Sequence, residues 1–81
     1  MEKLQMAEEL KKVMASAPRK EAACYIHLFG IQYGEEITEK GYTAKELVNL
    51  AELPYGYQSE LSKGIRLSKY VEMKRNSHEG T

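Results

Sequence analysis

The chain has no aspartate and no tryptophan, and only one cysteine and two prolines in 81 residues. Its 12 acidic residues are all glutamates. Glutamate suits helix surfaces, whereas aspartate prefers caps and turns, so the composition predicts a mostly helical protein. Cys24 alone cannot close an internal disulfide. With only His27 and His78 beside it, the chain falls short of the four ligands of a structural zinc site. No run approaches the roughly 18 apolar residues of a membrane-spanning helix. The N-terminus is amphipathic and acidic, unlike the basic start and apolar block of a signal peptide. A cytoplasmic protein with no membrane partner is expected.

Net charge is lacking too: 12 basic residues balance 12 acidic ones. Proteins that bind nucleic acid are usually basic. The balance is uneven along the chain, however. Between Tyr55 and Arg75, the cations Lys63, Arg66, Lys69, Lys74 and Arg75 outnumber Glu60 and Glu72. Such asymmetry can build one basic face on a neutral protein.

Catalytic signatures are also missing. There is no phosphate-binding glycine loop and no dinucleotide fingerprint. Cys24 and His27 lie three apart on a predicted helix, but no oxyanion element accompanies them, and so small a domain leaves little room for a deep pocket. The sequence therefore predicts neither an enzyme nor a cofactor or metal. Cys24 is expected to be a small buried apolar residue, and His27 a helix-surface or interface residue.

An apolar fraction of 42% is enough for one modest core. We read a single domain over residues 1–75 and a disordered tail over 76–81. Leu4, Met6, Ala7, Leu10, Val13, Met14 and Ala17 recur at helical spacing and predict a first helix over 2–17, with Glu8–Lys12 as an i,i+4 pair. Pro18 separates it from a second helix over 19–39. Ala22, Ala23, Ile26, Phe29, Gly30, Tyr33 and Ile37 form one face of that helix. Gly30 and Gly34 either let another helix approach a bare backbone or break the helix near Gly30. Gly41 reads as its left-handed cap.

The most informative stretch is 43–64, TAKELVNLAELPYGYQSELSKG. Thr43 and Glu46 have the spacing of a capping box, opening a helix over 43–51. Glu52-Leu53-Pro54 reads as a break. Tyr55 to Lys63 reads as a fourth helix, with Leu53, Tyr57 and Leu61 aligned on one side and Gly64 as its stop. Beyond it, residues 65–75 hold no single period. A short β-strand over 70–74, paired near Gly41-Tyr42, competes with a helix continued through Ser68.

Residues 43–65 resemble the helix-turn-helix of phage-repressor-type DNA-binding proteins. Thr43 matches the residue before the first helix, and Glu46-Leu47 its first turn. Leu53 matches the buried residue after the turn, Ser59 and Leu61 the middle of the recognition helix, and Gly64-Ile65 its end. Three positions depart from the pattern. Val48 stands where a small residue is usual, Glu52 where the turn usually has glycine, and Gln58 where an aliphatic residue is usual, so Tyr57 becomes a candidate for the inward role. Ile26-Phe29-Gly30 and Lys69-Tyr70-Val71 are similar to small bacterial HTH-like proteins, a resemblance that carries no function.

The resemblance implies a small four-helix domain whose helix 55–63 enters the major groove of double-stranded DNA, as in a bacterial or phage transcriptional regulator. It places Tyr55, Gln58, Ser59, Ser62 and Lys63 toward DNA. Gln58 can bond adenine, and Ser59 a base or a phosphate. Lys63, Arg66 and Lys69 would neutralise phosphates, while Glu60 would repel them. A homodimer through helices 2–17 and 19–39 would give two reading helices; Met6, Met14, Cys24, Phe29 and the glycine pair are candidates for that interface or for the core. The competing reading is a protein-interaction module such as an adaptor, antitoxin or small subunit, using the same fold without DNA. The neutral charge, Glu52, Glu60 and the two tyrosines at 55 and 57 speak for it.

Overall fold

The structure, a computed structural model, describes residues 1–74. The regular elements of these residues are all helical: α1 (Lys3–Ser16), a 3-10 turn (Arg19–Glu21), α2 (Ala22–Lys40), α3 (Ala44–Leu50) and α4 (Tyr57–Leu67). The tail assigned to 76–81, together with Arg75, lies outside the described residues.

The helices pack in two pairs. α1 runs beside α3 in the same sense, with Lys3 Nζ 3.0 Å from Glu46 Oε2 and Lys11 Nζ 2.6 Å from Glu52 Oε1. α2 runs beside α4, also in the same sense: His27 meets Glu60, the Gly30 backbone meets that of Gly64, and Gly34 meets Ser68. Between the pairs lies the core, where Met6, Leu10, Ile26, Ile37, Leu47, Val48 and Leu61 are fully buried. Phe29 and Tyr33 stack at 4.6 Å between ring centroids with their planes tilted by 45°, a geometry favoured by aromatic quadrupoles.

Local sequence explains the ends. Gly41 closes α2 at φ 77°, a left-handed conformation that costs glycine nothing. Thr43 Oγ1 accepts from the Glu46 amide at 3.1 Å, and Glu46 Oε1 accepts from the Thr43 amide at 3.0 Å, so the capping box forms as its spacing predicts. Hydrogen bonds from Lys3 and the Thr43 amide hold the Glu46 carboxyl below its usual range.

Several expectations need correction. α2 starts at Ala22 because residues 19–21 form a 3-10 turn, and it continues unbroken through Gly30. α4 starts at Tyr57, since Tyr55 and Gly56 belong to a turn. It does not stop at Gly64 but runs on to Leu67. Gly64 is there for close approach: a Cβ on it would lie 2.5 Å from the His27 carbonyl oxygen. The strand expected over 70–74 is absent. Residues 68–70 turn and 71–74 form no regular structure. The proposed partner is occupied elsewhere, with Tyr42 giving its amide to Ile37 and its hydroxyl to the Met1 carbonyl at 2.7 Å. Cys24 is exposed rather than buried, because it lies on the side of α2 turned away from Ile26 and Phe29. Lys12 pairs with Glu9 at 3.9 Å and not with Glu8.

Candidate nucleic-acid interface

The turn between α3 and α4 needs one left-handed residue, and here it is Glu52 at φ 62°. A side chain in that conformation crowds its own backbone. The following residues return the chain: the Leu53 amide bonds the Val48 carbonyl at 3.1 Å, and the Leu53 side chain packs against the core. Turn geometry thus survives without glycine, at a cost in strain. Glu52→Gly is expected to raise the melting temperature by a few degrees. The lost partner of Lys11 matters little, because both groups are largely exposed. A thermal melt followed by circular dichroism checks this; a lower midpoint would contradict it.

α4 then presents three sides. Leu61 and Gly64 are buried, while Tyr57 and Ile65 are partly buried against the core. Tyr57 therefore takes the inward role that an aliphatic residue at position 58 would otherwise fill. The opposite side carries Ser59, Lys63 and Arg66, all exposed and spaced by four and three. Gln58 and Ser62, both half-buried, flank this stripe on one side, and Glu60 flanks it on the other. Tyr55 stands 81% exposed just ahead of the helix.

Glu60 has two nitrogen neighbours within the fold. Its Oε1 lies 2.6 Å from His27 Nε2 and its Oε2 lies 3.8 Å from Lys63 Nζ. The imidazole contact is at ion-pair distance but lacks hydrogen-bond alignment, and Nε2 is otherwise enclosed. Lys69 sits apart from the stripe. It shares a groove with Glu35, Thr38, Glu39 and Ser68, so acidic groups of α2 lie beside it.

The structure therefore brings Ser59, Ser62, Lys63 and Arg66 onto one outer side of α4, with Tyr55 and Gln58 toward its start, and puts Lys69 in a mixed-charge setting. His27 as the neighbour of Glu60 escaped sequence reasoning, since nothing local links residues 33 positions apart. Lys45 and Asn49, both exposed on α3, were also overlooked; their spacing of four, opposite Leu47, was the available signal.

Compared with known proteins, the chain matches the family described as an HTH-like domain over residues 2–74. It belongs to that family. No curated protein and no solved structure matches it. The HTH-like domain match spans α1 and α2 as well as the 43–65 segment on which the sequence resemblance rests. No helix of the described HTH-like domain is long and apolar enough to cross a membrane.

Proposed function

We propose that this HTH-like domain is a sequence-specific DNA-binding protein, a small bacterial or phage transcriptional regulator that lays α4 in the major groove. The observation that carries the reading is the stripe of Ser59, Lys63 and Arg66. It is free of core duties and lies on the helix that follows a capped helix and a left-handed turn.

Residues near the start of a recognition helix reach base edges. Tyr55, Gln58 and Ser59 would take that role, with Gln58 bidentate to adenine. Lys63, Arg66 and the Ser62 hydroxyl would contact phosphates and fix the register. Lys69 would add less, because Glu35 and Glu39 share its groove. The Lys63 ammonium 3.8 Å from Glu60 reduces the repulsion that a bare carboxylate would exert. Such a protein acts without a metal, a cofactor or a catalysed reaction, in the cytoplasm.

The test is binding to a pool of random duplex DNA at two salt concentrations. Wild type should bind with salt-sensitive affinity. Lys63→Ala/Arg66→Ala should lower the slope of log affinity against log salt by about two, with circular dichroism unchanged. Sequences enriched from the pool would give the operator. A folded wild type that binds no duplex at low salt would refute the proposal. It would favour the protein-interaction module, for which the exposed Leu67, Tyr70, Val71 and Met73 already speak.

A further inference from the structure

The outward side of α2 carries a stripe that the other helices do not cover, although Lys69 shares a groove with its acidic end. Lys20, in the turn leading into α2, is followed at helical spacing by Cys24, Leu28, Ile31, Glu35 and Glu39. All are exposed except Ile31, which is half-buried. The middle of the stripe is apolar, its start is basic and its end is acidic. Neither Lys20 nor Glu39 has an ionic partner among the described residues. Val71 and Met73 line a groove with Ile31 and with the polar Gln32, Glu35, Ser68 and Glu72, so apolar side chains beyond α2 lie beside the centre of the stripe.

We infer that α2 is a dimerisation helix and that its occupant is the α2 of a second copy, packed antiparallel. The charge order commits the pairing. A helix that is basic at one end and acidic at the other, with an apolar middle, complements itself only when reversed. Setting Lys20 against the second copy's Glu39 brings Cys24 opposite Glu35 and Leu28 opposite Ile31. The two-fold axis then passes at the level of Phe29 and Gly30, and every contact occurs twice, as an isologous interface requires. Leu28 would enter the groove lined by Ile31, Val71 and Met73. The 19 residues of α2 give about 28 Å of helix for the contact. α1 is not needed, because Met6, Ala7 and Leu10 are buried in their own core.

This inference deepens the reading above by supplying the second recognition helix, since one helix alone binds weakly. Its contacts do not depend on DNA. Sedimentation velocity over a range of concentrations tests it. Wild type should be a reversible dimer. Lys20→Glu and Glu39→Lys should each weaken it about tenfold, by placing like charges opposite at two symmetric positions, and the double variant should restore it. Leu28→Asp should give a monomer with unchanged helicity. A wild type that stays monomeric, single variants without effect, or a double variant that is not rescued would overturn the assignment. The two proposals fail separately. A monomer that binds duplex DNA loses only the dimer, and a dimer without DNA affinity loses only the DNA reading. Lys63→Ala/Arg66→Ala should leave dimerisation unchanged.

Discussion

Gly64→Ala should destabilise the fold by about 3 kcal/mol, although alanine is the better helix former. Helix propensity alone predicts a gain of about 1 kcal/mol for this change in a helix interior. The new methyl, however, would lie 2.5 Å from the His27 carbonyl oxygen and 3.0 Å from Gly30 Cα. The obstacle is backbone, so no side chain can swing aside, and α2 and α4 must separate along their length. Gly30→Ala meets the same seam from the other side, with its Cβ 2.8 Å from the Gly64 backbone. The double variant should cost less than the two singles together, because helices already forced apart accept the second methyl more easily. Gly56 is the control: a Cβ there meets nothing within 4 Å, and its φ of −59° suits any residue. Urea denaturation followed by circular dichroism measures all four. A Gly64→Ala protein as stable as wild type would mean that the two backbones do not touch.

Leu61→Ala should cost a similar amount, about 3 kcal/mol, for the opposite reason: it removes atoms rather than adding them. Leu61 is fully buried in the core shared by α1, α2 and α3, and it is the one fully enclosed large side chain that α4 contributes. A domain of this size has a stability of roughly 4–12 kcal/mol, so the loss takes a large share of the whole. The melting temperature should fall by on the order of 15 °C. The comparison with Lys63→Ala/Arg66→Ala is informative. Those side chains are exposed, so their removal should leave the melting temperature close to wild type. If Leu61→Ala melted like wild type, the orientation of α4 described above would be wrong, and the outer stripe with it.

Much of this was legible in the sequence. Capping at Thr43–Glu46 and the left-handed Gly41 depend on residues three apart or on one residue's own backbone, and local chemistry decides both. The inward Met6, Ala7 and Leu10 of α1 and the inward Tyr57 and Leu61 of α4 follow from helical period; Leu4, read into the same stripe, is exposed, and Leu53 reaches the core from the turn ahead of α4. The misreadings share a different cause. Gly64 looked like a stop and Cys24 like a core residue because each was judged by its own type. Their places are set by distant neighbours: Gly64 by the α2 backbone, and Cys24 by which side of α2 turns inward. The strand over 70–74 failed because its only candidate partner was committed to capping α2 and binding Met1. Within the candidate interface, Ser59, Lys63 and Arg66 were expected from the resemblance to the helix-turn-helix, and their spacing of four and three puts them on one side of α4. The acidic company of Lys69 and the imidazole beside Glu60 were not expected, because both come from α2.

The parallel seam also bears on the order in which the chain can fold. Gly30 meets Gly64 and Gly34 meets Ser68, so α4 docks on a strip of chain 34 positions behind it, across the whole of α3. During synthesis from the N-terminus, α1, α2 and α3 emerge first and can begin to assemble, while the bare backbone of Gly30 and Gly34 still faces water. Docking of α4 closes that long loop, an entropic cost that local helix contacts do not carry. In a chain made from the N-terminus, the helix proposed to read DNA is the last of the four to be made, so its seam with α2 cannot close until almost all of the domain has left the ribosome.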